Sequence, residues 1–285
     1  VGGTLGIIIP PSIVFVIYGS TNGVSISKLL MSGMLPGILT AVVLCLYGYV
    51  VAKKENFPKS FDQFSLKRVL KSLKGAVWAL MMPLIILGGI YGGIFTPTES
   101  AMIACAYGLV VSFFVTKELT VKNFFDVVSK TAASTANVTV MFLAAQVFGF
   151  LIAYYDITTT IANFFVAVSP NWIIFMGLVF ILLTITGMFM EVGATNVILS
   201  PLLAPVAAAF GIDPIHFGMV FVFLLALGQA TPPFGSTMFI ACGISGERVA
   251  AVIRRLLPFV LVEYACALVF AYVPWFSTFL PSLMA

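Results

Sequence analysis

Two short stretches of the sequence interrupt an apolar run with the same residue types. LGIIIPPS covers residues 5–12 and LGQATPPF covers residues 227–234, so a leucine–glycine pair precedes a proline pair in both. Each proline pair removes two backbone donors, which leaves carbonyl groups in residues 6–10 and 228–232 without helical partners. Such carbonyl oxygens are suited to Na⁺ when they line a cavity in a membrane. We therefore predict an ion site at each stretch; a simple kink is the alternative.

The stretch MEVGATN, residues 190–196, carries a second set of oxygen ligands. Glu191, Thr195 and Asn196 surround Gly193 between the apolar runs 172–190 and 197–210. The second run is short for a membrane span, so we predict a re-entrant hairpin with these polar groups at its tip. A carboxylate at that depth is a functional candidate by default, whereas a helix-start carboxylate is the structural alternative for Glu191. All of these ligands are hard oxygen donors, which suit Na⁺ and not a transition metal.

The composition places these groups in a lipid bilayer. Hydrophobic residues make up 61% of the 285 residues and charged residues only 8%, whereas about a quarter of a soluble domain is charged. Several apolar runs approach the ~20 residues that a helix needs to cross the hydrocarbon core: 29–52, 75–95, 100–116 and 256–280. The basic residues fall in a few short polar breaks, as in cytoplasmic loops, and do not indicate nucleic-acid binding. The sequence predicts an all-α integral membrane protein.

The two proline stretches belong to a longer repeat. A constant offset of 222 residues pairs Leu5 with Leu227, Gly6 with Gly228, Pro10 with Pro232, Pro11 with Pro233, Leu35 with Leu257 and Pro36 with Pro258. Chance matching among common membrane residues is the alternative, because Gly and Pro are frequent in membrane helices.

The basic residues orient the two copies. In the first copy the span after the break runs into Lys53 and Lys54, whereas in the second copy the loop right after the break region carries Arg248, Arg254 and Arg255. Because basic residues mark the cytoplasmic side, the copies cross the membrane in opposite directions. We expect loops 53–74, 117–130 and 246–255 in the cytoplasm and the C-terminus outside. This pattern is typical of inverted-repeat secondary transporters with discontinuous helices.

The sequence predicts four regions. Residues 1–28 form the broken helix of the first transport repeat, and residues 29–130 form scaffold-type helices with a basic interfacial helix near 64–76. Residues 131–255 form the second transport repeat, with its hairpin near 187–210 and its broken helix near 215–245. Residues 256–285 form a C-terminal transmembrane helix.

Several other polar groups are predicted to be structural. Asp213 caps a helix with Pro214 at its first position, which puts His216 in the first turn at the membrane edge. Thr96 or Thr98 caps another helix with Glu99 in its first turn, and Asp156 lies in an interfacial loop. The motifs GxxxxGK[ST], HExxH and GxSxG do not occur, so no catalytic residue is predicted.

Four motifs resemble the large membrane subunit of tripartite ATP-independent periplasmic (TRAP) transporters: GGTLGIIIPPS, GGIYGGIFTPTESA, SPLLAPVAAAFGIDPIHFG and LGQATPPFGS. The resemblance runs from residue 1 to about residue 260. It implies a multi-pass protein of the bacterial inner membrane that works by an elevator-type movement. It also implies Na⁺-driven uptake of small organic acids, of the sialic acid or C4-dicarboxylate class. Its partners would be a periplasmic substrate-binding protein and a small membrane subunit, separate or fused.

The resemblance also assigns roles by position. The Na⁺ ligands would be the carbonyl groups of Gly6, Ile9 and Pro10 in the first copy, those of Gly228, Thr231 and Pro232 in the second, and Glu191, Gly193 and Thr195 at the hairpin tip. The substrate is expected between the two broken helices, near Ser12, Asn196 and Gly235. Many members of the family have aspartate where this chain has Glu191, which leaves the role of that carboxylate open.

The hairpin that matches the tip at residue 191 would precede residue 1, so we expect the chain to be the C-terminal two-thirds of such a subunit. Two other functions remain open at this point. One is a Na⁺/carboxylate symporter with the same hairpins that works without a binding protein. The other is an intramembrane enzyme that uses Glu191 and Asp156.

Overall fold

Every regular element in the described part of the chain is a helix. The computed structural model describes residues 1–56, 65–246 and 248–284. In chain order the helices are α1 (Gly2–Ile8), α2 (Ile13–Asn22), α3 (Ile26–Lys54), α4 (Leu66–Tyr91), α5 (Pro97–Val110), α6 (Val121–Tyr154), α7 (Ile157–Val168), α8 (Trp172–Phe189), α9 (Val192–Ala209), α10 (Pro214–Gly228), α11 (Ser236–Ser245), α12 (Val249–Tyr272) and α13 (Trp275–Ser282). A π-helical turn, Val111–Val115, extends α5.

The described helices provide six segments that are long and apolar enough to cross a membrane, one of which is α1 and α2 taken together, or seven if α12 and α13 count as one bent span. A lipid-exposed backbone must satisfy its own hydrogen bonds, which a helix does within one segment. The prediction of an all-α, multi-pass membrane protein is confirmed. The chain folds as two compact units, one of residues 1–47 and 139–285 and the other of residues 48–138.

Both proline pairs interrupt a helix, as predicted. In the first unit α1 ends at Ile8 and α2 begins at Ile13, and the residues that flank the prolines, Ile9 and Ser12, have extended backbones. The second break separates α10 from α11 and covers residues 229–235. The peptide bonds Pro10–Pro11 and Pro232–Pro233 are both cis.

Helices α8 and α9 form the predicted hairpin, although its second arm, α9, is longer than the expected run 197–210. The tip is at Met190 and Glu191, where the chain is extended. At the other end the rings of Phe175 and Phe210 stack with centroids 4.9 Å apart, which closes the two arms on each other. Both arms have 18 residues, and α9 reaches this length because the polar stretch around Gly193 is its first turn and not a loop before it.

Helix α10 is the centre of the first unit. Every residue from His216 to Gly228 is buried, and α10 packs against α1, α2, α8, α9, α12 and α13. Glycine permits the closest of these approaches: a Cβ atom on Gly228 would lie 2.5 Å from the Cα atom of Gly187 in α8. Two helix backbones meet here in the way that small residues allow in membranes.

Two regions differ from the sequence prediction. The predicted single helix 256–285 is instead α12, which already begins at Val249, followed by the short α13 at an angle of 63°. Pro274 explains the break, because the residue before a proline avoids helical backbone angles. Val273 has φ −122° and ψ 87°, which are not helical angles, and α12 ends there. The predicted interfacial helix near 64–76 is not a separate helix, because residues 66–91 form one continuous helix, α4. Residue 64 and Ala285 lie outside the described residues.

Because α8 and α10 touch at glycines, we expect a single methyl group added at Gly228 to destabilise the fold. Gly228→Ala should lower the free energy of unfolding by about 1–3 kcal/mol, because the clash is with backbone atoms that cannot move aside. Gly243→Ala in α11 is the matched control: an added Cβ meets nothing within 4 Å there. Thermal unfolding in detergent should separate the two variants, and equal melting temperatures would contradict this packing.

Candidate functional site

The first break presents carbonyl oxygens that have no partner in the described residues. Because Pro10 has no N–H, the carbonyl of Gly6 cannot make its helical hydrogen bond four residues on. No backbone or side-chain group of the described chain donates to the carbonyls of Ile9 and Pro10. Helix α3 covers the neighbouring turn closely, since a Cβ atom on Gly33 would lie 2.5 Å from the carbonyl oxygen of Ile8. The break is therefore a set of free oxygen ligands on a fixed backbone.

The second break is a tighter loop whose carbonyls are partly engaged. The carbonyl of Gly228 accepts from the amide of Thr231 at 3.0 Å, and that of Thr231 accepts from the amide of Gly235 at 3.2 Å. A Cβ atom on Gly235 would lie 2.5 Å from the carbonyl oxygen of Gln229, so only glycine fits there. Each carbonyl oxygen retains a second lone pair, which a cation can use.

The side chain of Thr231 joins the second break to α12. Its Oγ1 donates to the carbonyl of Leu227 at 2.7 Å and lies 3.1 Å from the hydroxyl oxygen of Tyr264. Since Thr231 has one hydroxyl hydrogen, Tyr264 must be the donor in the second contact. One lone pair of Thr231 Oγ1 then remains for an ion.

At the hairpin tip Glu191 is the N-cap of α9. Its Oε2 accepts from the amide of Ala194 at 3.0 Å, and its carbonyl accepts from Thr195 Oγ1 at 2.9 Å. Glu191 is exposed, whereas Gly193 and Thr195 are buried. Glu191 therefore has the geometry of a helix-start carboxylate, as in the structural alternative. Its Oε1 oxygen is the side-chain atom that could bind an ion. No hydrogen bond in the described chain joins Glu191 to the first break.

Asn196 connects the hairpin to the first broken helix. Its Nδ2 donates to the carbonyl of Val14 in α2 at 2.9 Å, and Asn22 of α2 donates to Ser200 of α9 at 2.8 Å. Asn196 Oδ1 and the nearby Ser12 Oγ are both buried and have no partner among the described residues. Buried polar atoms are normally hydrogen-bonded, so two unpartnered ones at one helix break mark a place for a ligand. Gly235 shares no hydrogen bond with either of them.

Gln229 is a site residue that the sequence did not reveal. Its Nε2 donates to the carbonyl of Met190 at 3.2 Å, and its Oε1 accepts from the hydroxyl of Ser236. Gln229 thereby ties the hairpin tip to the second break. The available signal was a lone amide side chain inside the apolar run that ends in LGQATPPF.

The polar groups predicted to be structural have partners of their own. Asp213 caps α10 with Pro214 at its first position, and Thr96 forms a capping box with Glu99. His216 is buried, with Nδ1 at 2.7 Å from Ser277 Oγ and Nε2 at 3.1 Å from the carbonyl oxygen of Ala271. Asp156 accepts from the hydroxyl of Thr159 at 2.6 Å.

The chain matches known transport proteins over nearly its whole length. A family model described as the tripartite ATP-independent periplasmic transporter, DctM component, matches residues 1–276. The isethionate TRAP transporter permease protein DctMQ of Oleidesulfovibrio alaskensis is 40% identical over 272 residues, which cover 95% of this chain and 43% of that protein.

Two further relatives carry different substrates in their names. The sialic acid TRAP transporter permease protein SiaT of Haemophilus influenzae is 34% identical over 98% of this chain and 45% of its own length. The C4-dicarboxylate TRAP transporter large permease protein DctM of Vibrio cholerae is 35% identical over 99% of this chain and 66% of its own length. The chain thus spans less than half of two of these relatives and about two-thirds of the third.

The resemblance found in the four motifs is confirmed by these matches. Because the relatives are permeases, the intramembrane-enzyme alternative loses its basis. The apolar helices and the permease relatives together identify a multi-pass protein of the bacterial inner membrane. The chain belongs to the DctM component family of TRAP transporters.

Proposed function

We propose that this chain is the membrane-embedded part of a Na⁺-driven, binding-protein-dependent importer of small organic acids. The observation that carries the proposal is the pair of buried, unpartnered oxygens, Ser12 Oγ and Asn196 Oδ1, where the hairpin meets the first broken helix. The Ser12 hydroxyl can donate to an acid group of the substrate, and Asn196 Nδ2 has a second hydrogen besides the one that Val14 accepts. The unpartnered Asn196 Oδ1 can accept only from a donor group of the substrate. The backbone of Gly235 at the second break would complete this substrate site.

Two Na⁺ sites follow from the oxygen ligands of the breaks. The first would use the carbonyls of Gly6, Ile9 and Pro10. The Gly6 carbonyl lacks its helical donor because Pro10 has no N–H, and no group of the described chain donates to the carbonyls of Ile9 and Pro10. The second would use the carbonyls of Gly228, Thr231 and Pro232 with Glu191, Gly193 and Thr195 of the tip. The hydrogen bond from Gln229 to Met190 supports this second set, because it holds the tip against the break.

The substrate is proposed only at the level of its acid group. The relatives are named for isethionate, sialic acid and C4-dicarboxylates, all of which are anionic acids. The site on this chain has uncharged donors, Ser12 and Asn196, and each of these anions can accept from them. Sialic acid stays one member of this class; the isethionate name of the 40% identical relative favours testing a sulfonate beside it.

The partners and the movement belong to the same proposal. A periplasmic substrate-binding protein would deliver the acid, and a small membrane subunit, separate or fused, would accompany this chain. Both broken helices and the hairpin lie in one compact unit, residues 1–47 and 139–285, which is the body that an elevator-type mechanism would move. Uptake by the complete transporter without any binding protein would instead favour the symporter alternative.

The hydroxyl of Thr231 predicts a Na⁺ effect that can be separated from folding. In the complete transporter, reconstituted with its binding protein, Thr231→Ala should raise the Na⁺ concentration for half-maximal uptake about tenfold, as for loss of one oxygen contact. Thr231→Ser keeps the hydroxyl and should stay near wild type. Replacing Na⁺ by K⁺ should abolish wild-type uptake; uptake that persists in K⁺ and follows a pH gradient would contradict the Na⁺ sites.

The unpartnered hydroxyl of Ser12 predicts a substrate effect without a stability effect. Ser12→Ala removes no hydrogen bond of the described chain, so thermal stability should be unchanged while the KM for the substrate rises about three- to tenfold. Ser200→Ala is the matched control, because its hydroxyl is bonded to Asn22 and its loss should lower stability and leave KM unchanged. A Ser12→Ala variant with a wild-type KM would remove this hydroxyl from the substrate site.

A further inference from the structure

Glu263 is a buried acid in the middle of α12, and it is not one of the residues proposed to bind Na⁺. Glu263 and Thr4 of α1 are both completely shielded from solvent. The Oε1 atom of Glu263 lies 2.6 Å from Thr4 Oγ1, a contact that joins α12 to the half-helix before the first break. The other carboxyl oxygen, Oε2, has no partner among the described residues.

The hydrogens around Thr4 can be counted. Thr4 Oγ1 lies 2.5 Å from the carbonyl oxygen of Val1 as well as 2.6 Å from Glu263 Oε1. A threonine hydroxyl has one hydrogen and can donate it to only one of these two acceptors. If Thr4 donates to Val1, as its position one turn later favours, the contact with Glu263 needs a hydrogen that only the acid can supply. Both short contacts are hydrogen bonds only when Glu263 is protonated.

No charged side chain compensates an ionised Glu263 in the described structure. The helices packed against α12 carry few ionisable groups: α8 and α1 have none, α10 has His216 and α11 has Cys242. His216 is bonded at Ala271, two turns along α12. A carboxylate buried without a charge partner is strongly disfavoured.

The remaining ionisable groups nearby are weak or distant. Tyr264 and Cys266 follow Glu263 on α12. Arg254 and Arg255 stand more than two turns before Glu263 on α12. The ring of Tyr47 reaches α12 from α3 at Phe259, one turn before Glu263.

A proton fits this place better than a metal ion does. An ion bound between two oxygens holds them farther apart than a hydrogen bond, since each metal–oxygen distance is itself about 2.0–2.6 Å. The contacts from Thr4 Oγ1 to its two neighbours are 2.5 and 2.6 Å between oxygen atoms. An ion cannot lie between the oxygen atoms of either pair, whereas a hydrogen can.

We infer that Glu263 is a proton-binding site between α1 and α12 that uses none of the proposed Na⁺ ligands. Thr4 is in the half-helix that leads into the first break, so loss of the proton would leave an uncompensated charge buried against that half-helix. The next residue, Tyr264, contacts Thr231 at the second break. Adjacent residues of α12 thus reach both broken helices, and only the contact to the first is made by an acid.

Infrared difference spectroscopy of the complete, reconstituted transporter tests the occupied site directly. At neutral pH the wild type should show the carbonyl band of a protonated carboxyl group, shifted by exchange into D₂O. The band should be lost in Glu263→Gln and kept in Glu99→Gln, which changes an exposed acid in the same way. Absence of the band from the wild type, or its survival in Glu263→Gln, would overturn the inference.

The hydroxyl of Thr4 gives a second variant pair if Glu263→Gln does not fold. Thr4→Val removes the partner of the acid and should shift the Glu263 band, whereas Thr4→Ser keeps the hydroxyl and should leave the band in place. An unshifted band in Thr4→Val would contradict the contact.

Transport supplies a functional readout of the same site. Uptake by the wild type should fall on the alkaline side as the proton is lost, and Glu263→Gln, which keeps a donor toward Thr4, should lack this fall. Equal alkaline losses in both would show that Glu263 does not cause them. Since the infrared band does not depend on transport, it can fail or hold independently of the Na⁺ proposal.

Discussion

The break in a buried helix is the constraint on which the rest of this structure depends. A proline pair leaves carbonyl oxygens without donors, and inside a membrane no bulk water replaces those donors. The free carbonyls of Ile9 and Pro10 therefore need a ligand or a cavity. At the second break the loop partly satisfies itself through the amides of Thr231 and Gly235. The two copies thus share a proline pair but differ in how many free oxygens they present.

The breaks are held in place by packing that depends on small residues. Gly228 ends α10 directly against Gly187 of α8, and Gly33 of α3 lies against the turn of Ile8 before the first break. These backbone contacts are rigid because no side chain can adjust between them. Most oxygens of the proposed cation sites are uncharged backbone carbonyls. Their positions therefore depend on a rigid backbone, which this packing provides.

Much of this arrangement can be predicted from the sequence, because prolines and helix-capping residues determine the backbone at their own positions. The two breaks, the Asp213 cap and the capping box of Thr96 follow from the residues at those positions. Contacts between distant residues cannot be predicted in this way. The bond from Gln229 to Met190 depends on how α10 packs against the hairpin, and the bond from Asn196 to Val14 depends on how α9 packs against α2. The role inferred for Glu263 cannot be predicted from the sequence for the same reason, because it depends on the contact with Thr4, which is distant in sequence. The hairpin limits were misjudged since polar residues of the first turn of α9 resemble a loop.

If the free carbonyls of the breaks bind Na⁺, then Na⁺ must stabilise the folded protein. A cation that binds only the folded state raises the free energy of unfolding by RT ln(1 + [Na⁺]/Kd), which grows with the Na⁺ concentration. Thermal unfolding of the purified, complete transporter should therefore be measured in NaCl and in KCl at equal ionic strength. If the carbonyls bind Na⁺, the melting temperature should rise with the Na⁺ concentration and not with the K⁺ concentration. Identical melting temperatures in the two salts would contradict it.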